Sequence, residues 1–121
     1  MSRRRVIGWF LRQTFADPAQ VPPGYERYCW RTCQQPGAYR APLAFVSGLM
    51  NDPRAESAYR RLSNPTLLVF GDHPRFTDPA AAEGLVAANS DLERITIEHA
   101  GDLPQLEQPD ETAAVIDRFL A

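Results

Sequence analysis

Few side chains in this chain could carry chemistry: two cysteines, two histidines and a scatter of carboxylates. Cys29 and Cys33 stand four residues apart, so on a helix they share a face. A regular helix does not offer disulfide geometry there, and a zinc site would need two further ligands. His73 and His99 lie far from the cysteines and show no ligand spacing. The cysteines are therefore read as small, half-buried apolar residues of a reducing compartment. Among the acids, Asp78 is followed by Pro79, the pattern of a helix cap with proline in the first turn. Asp72 and Asp102 each sit in a loop next to a glycine, and His73 reads as an exposed loop residue.

The elements that must hold these residues divide the chain in two. Residues 1–62 read as short helices separated by proline-rich joints. Apolar residues at Val6, Ile7, Phe10, Leu11 and Phe15 have helical spacing, which predicts a helix over residues 4–15. A second helix is expected from Pro22 or Pro23 to about Cys33, a third from Ala38 or Pro42 to Met50, and a short fourth from about Pro53 through Leu62. Their mixed polarity and many aromatics suit a lid or packing layer better than a self-sufficient bundle.

Residues 63–121 change period. The run 66–70, Thr-Leu-Leu-Val-Phe between Pro65 and Gly71, reads as a strand buried on both faces of a parallel sheet. A helix from Pro79 to about Asn89 follows. Residues 94–98 alternate, so Ile95 and Ile97 share one face. A loop over 99–104 leads to a last helix from Pro109, with Val115, Ile116, Phe119 and Leu120 placed to pack on the sheet. The order strand, helix, strand, helix gives one right-handed parallel unit, which supplies a buried strand with too few neighbours.

Composition sets wider bounds. The 121 residues are 44% hydrophobic and suit a single modest core. No stretch approaches the roughly 20 apolar residues of a membrane span. The basic start is not followed by a long apolar run or a small-residue cleavage site, so a secretory signal is not expected and the cytoplasm is the default compartment. Ten of the thirteen arginines fall before Ser63 and eleven of the fifteen acids after it. Because the arginines are dispersed and the net charge is −2, the asymmetry is read as opposed faces and not as a nucleic-acid surface.

The second half also resembles a known family. NPTLLVFGD, FTDP and ERITIEHAGDLPQLEQPDETAAVIDRFL are similar to the C-terminal end of the α/β-hydrolase fold. There the penultimate strand leads to the loop of the triad acid. The last strand leads to a Gly-His-x-Pro-x-x-Glu-x-Pro loop carrying the triad histidine. The match covers residues 64–121, and the helices before it resemble the end of the family's variable cap. The resemblance implies an α/β fold: N-terminal cap-like helices (residues 1–62) followed by a β-α-β-α unit equivalent to the C-terminal end of the hydrolase sheet (residues 63–121).

This chain departs from the pattern at its reactive positions. Asp102 stands where the family has its histidine, and the last position of the family's Gly-x-x-Asp acid loop is Pro74. No Gly-x-Ser-x-Gly elbow is present to hold a nucleophile. Ser47-Gly48 lacks the first glycine in a helical context and reads as structural. Asp72 is the nearest stand-in for the acid, and His99 lies three residues before the histidine position. An Asp at 102 offers no proton shuttle near neutral pH. The resemblance thus implies a partial or degenerate small-molecule ester, amide or carbon–halogen hydrolase, inactive as this chain alone, with no metal and no organic cofactor. Its expected partners are a small apolar substrate or ligand, and either a second copy or the N-terminal half of the fold; neither nucleic acid nor a membrane is expected. The other reading is a non-catalytic ligand-binding or interaction module.

Overall fold

The computed structural model describes residues 4–46 and 54–121. Ser47-Gly48 lies outside the described residues. Four helices come first: α1 (Arg4–Thr14), α2 (Tyr25–Thr32), α3 (Arg40–Val46) and α4 (Ala55–Tyr59). A single 3₁₀ turn over Pro18–Gln20 follows α1, capped by Asp17, whose Oδ1 accepts the Ala19 N–H at 2.8 Å. Then come β1 (Thr66–Gly71), α5 (Pro79–Ala88), β2 (Leu92–Ile97), α6 (Pro104–Glu107) and α7 (Pro109–Leu120).

The strands pair in parallel, Thr66 with Leu92 through Gly71 with Ile97. Leu67 and Val69 of β1 and Ile95 and Ile97 of β2 share one face, and Val115 of α7 and Ala100 close a core over it in which Ile97 is fully buried. On the other face Arg94 lies 5.8 Å over the Phe70 ring and reaches Glu83 of α5 at 3.1 Å. The Asp78 cap forms as its sequence implies, with Oδ1 accepting the Ala80 N–H at 3.0 Å.

Several expectations need correction. Residues 66–70 are only half-buried, because the sheet has two strands among the described residues and one edge of β1 meets no neighbour. The stretch before Pro109 read as a loop contains α6, one helical turn opened by Pro104. On α7, Val115 is buried but Ile116 and Leu120 are exposed, since only one side of the helix reaches the sheet. Cys29 is half-buried, whereas Cys33 ends α2 and is exposed; both are free thiols.

Asn89, unremarked in the sequence, ties the halves together. Its buried side-chain amide donates to the carbonyls of Tyr59 and Leu62, each at 2.9 Å, and its Oδ1 accepts the Asp91 N–H at 3.0 Å. No helix among the described residues is long and apolar enough to cross a membrane.

Candidate functional site

Two loops leave the same end of the sheet, residues 72–78 after β1 and 98–103 after β2, and they are built into one another. The Asp72 N–H donates to the Ile97 carbonyl at 3.0 Å, and the His73 N–H to the Ala100 carbonyl at 2.9 Å. This approach requires glycine at 71, because a Cβ there would strike the carbonyl oxygens of Ala100 and Gly101. Gly101 is held against the end of α1, where a Cβ would meet the Thr14 carbonyl oxygen at 2.5 Å.

Asp102 spends its carboxylate on the neighbouring loop. It accepts the N–H groups of Arg75 at 3.0 Å, Phe76 at 3.1 Å and Thr77 at 3.0 Å, and the Thr77 hydroxyl at 3.0 Å. Its own N–H donates to the Thr14 carbonyl at 2.8 Å. A carboxylate that gathers three backbone donors is a loop cap, and charge-assisted bonds of this kind are the stronger ones.

Glu107 works in parallel from α6. Its buried carboxylate accepts the Gly101 N–H at 2.7 Å through one oxygen and the Ala16 N–H at 2.6 Å through the other. Nothing in the sequence reading gave Glu107 a role. The signal available is the Glu of the family's Gly-His-x-Pro-x-x-Glu-x-Pro loop, which Glu107 matches within residues 101–109.

Asp72 and His73 form the pair with the most chemical character. His73 Nδ1 lies 2.8 Å from Asp72 Oδ1, which also accepts the Ala100 N–H at 3.0 Å. Partial desolvation pushes the Asp72 carboxyl upward, but the bond from His73 and those from the His99 and Ala100 N–H groups outweigh it and lower its pKa to about 2. A carboxylate at Nδ1 orients the ring and leaves Nε2 outward. The His73 side chain is 68% exposed, as expected for a loop residue.

His99 adopts the left-handed backbone region, with φ 56°. It lines a groove with Ala16, Asp17, Gln20 and His73. Asp72, His99 and Asp102 therefore lie in the same pair of loops, where Asp72 meets the His99 backbone and Asp102 serves residues 75–77. No group of three or more metal-ligating side chains is gathered among the described residues.

Comparison with known proteins places this arrangement. A profile described as the alpha/beta hydrolase family matches residues 2–115. The chain belongs to the alpha/beta hydrolase family. It is 32% identical over 104 residues to the pimeloyl-[acyl-carrier protein] methyl ester esterase of Nitrosospira multiformis, covering 85% of this chain and 38% of that protein. Among solved structures it is similar to Cfl2 from Burkholderia cenocepacia (24% identity, TM-score 0.75, 98% of this chain and 40% of that one). It is also similar to CarC, a serine hydrolase involved in carbazole degradation (17% identity, TM-score 0.82, 98% and 47%). These likenesses show the fold. The chain spans well under half the length of the curated relative, and its helices and two-stranded parallel sheet form a partial α/β unit of that fold.

Proposed function

We propose that residues 1–62 act as a cap-like layer and residues 63–121 as the end of a hydrolase core whose reactive loop now serves structure. The observation that carries this reading is Asp102. It occupies the position where the family has its histidine, and its oxygens are taken up by the N–H groups of Arg75, Phe76 and Thr77. A histidine there could not accept three backbone donors. The chain also contains no Gly-x-Ser-x-Gly elbow. On its own it is a non-hydrolytic member of the family. The likeness to a methyl ester esterase supports carboxylic esters as the substrate class of a longer, complete protein.

The test is hydrolysis of p-nitrophenyl butyrate by this chain and by His99→Ala and His73→Ala. No turnover above buffer is expected from any of them. Saturable turnover that disappears in either histidine variant would overturn the reading.

The open edge of β1 supports a second element of this proposal, completion of the sheet by another chain, either a second copy or an N-terminal hydrolase half. Edge strands present unpaired backbone donors and acceptors that invite such pairing. Sedimentation velocity is expected to show self-association at micromolar concentrations, or association when the complementary half is added. A well-folded monomer unaffected by that half would exclude it.

A further inference from the structure

Between the end of α1 and the loop after β1 lies a cavity of about 330 Å³, lined by Arg12, Phe15, Pro18, His73, Pro74 and Arg75, with Gln13 and Ala16 completing the wall. We infer that it is a binding site for a small organic anion, a carboxylate or phosphate monoester carrying an apolar body. This stands apart from the hydrolase reading.

Two arginines and a histidine from two separate segments line it, and none of the lining residues is acidic. The neighbouring carboxylates already have partners. Asp72 is engaged by His73 and the Ala100 N–H. Asp17 caps the turn at Ala19, and Asp102 holds the backbone of residues 75–77. Arg12 pairs with Glu26 only at 3.9 Å, so an anion in the cavity would compete with that carboxylate for the guanidinium. Arg75 spends its backbone N–H on Asp102, and no ion pair engages its guanidinium among the described residues. Two of the carbonyls at the end of α1 face protein donors: Leu11 takes the Thr14 hydroxyl and Thr14 takes the Asp102 N–H.

Guanidinium groups present fixed forks that match carboxylate and phosphate oxygens. Phe15, Pro18 and Pro74 give an attached alkyl or aryl group an apolar wall, and the volume falls within the usual range for small-molecule sites.

The experiment titrates hexanoate, hexyl phosphate and neutral hexanamide separately into the full chain, followed by amide NMR. Saturable shifts centred on residues 12–18 and 73–75 are expected with at least one anion and not with hexanamide. A response to hexanoate alone assigns a carboxylate ligand, and a response to hexyl phosphate alone assigns a phosphate ester. Arg75→Gln and Arg12→Gln are each expected to raise Kd at least fivefold with an unchanged circular dichroism spectrum, while Arg75→Lys recovers part of the affinity. Arg75→Gln leaves the backbone bond to Asp102 intact, so it tests the site even if Arg12→Gln disturbs α1. Failure of both anions to saturate, equal binding of hexanamide, or unchanged affinity in Arg75→Gln would overturn the inference.

Discussion

At the scale of residues, Asp72, Asp102 and Glu107 each tie backbone donors of separate loops together. Asp72 shows it most measurably, because its pKa is lowered from the ordinary 3.8 to about 2 by bonds that exist only in the folded chain. A carboxyl with a depressed folded pKa stabilises the fold fully above its unfolded value and loses that contribution as pH falls through the folded one. The window here is therefore about pH 4 down to pH 2. With the side chain 27% exposed, the loss is on the order of 1–2 kcal/mol after allowing for solvent screening. Urea unfolding at pH 5 and pH 2.5 is expected to show that loss, and Asp72→Asn should flatten it. Asp72 was named from the sequence as the nearest acid to the family's acid position. Its bond to the Ala100 N–H, 28 residues on, is not legible in the sequence, because it depends on how two distant loops lie together.

At the scale of elements, what could be read depended on local punctuation. Pro65 and Gly71 bracket β1, Asp78-Pro79 opens α5, and Pro109 opens α7; each is a local signal, and each element formed there. The start of β2 falls at Leu92, two residues before the alternating run, because pairing with Thr66 extends the strand beyond what its own periodicity reveals. The turn α6 escaped because four residues carry no period. Asp102 and Glu107 were harder still: Glu107 meets the Ala16 N–H across 91 positions, and no local pattern announces such a partner. One element also carries an internal defect. The Thr112 hydroxyl on α7 is buried and has no hydrogen-bond partner among the described residues. Thr112→Val keeps the shape and removes the unpaired group, so chemical denaturation is expected to show a gain of about 1 kcal/mol. A loss would mean that the hydroxyl has a partner in solution.

At the scale of the whole molecule, the first and second halves are joined at the two loops that follow β1 and β2. Glu107 holds Ala16 to Gly101, Asp102 joins Thr14 to residues 75–77, and Asn89 holds the end of α4. Phe10 of α1 stacks on Phe76 with ring centroids 5.2 Å apart, so the residues gathered by Asp102 also touch the first helix. The loop pair is a joint, and that is the claim on which the functional reading depends. Native-state hydrogen exchange tests it most directly, by following the amides of Arg75, Phe76 and Thr77 in the parent and in Asp102→Ala. Protection at all three is expected in the parent. In the variant it should fall at least tenfold there, while Ala16 and Gly101, held by Glu107, stay protected. Amides at 75–77 that exchange freely in the parent, or that keep their protection without the carboxylate, would contradict it.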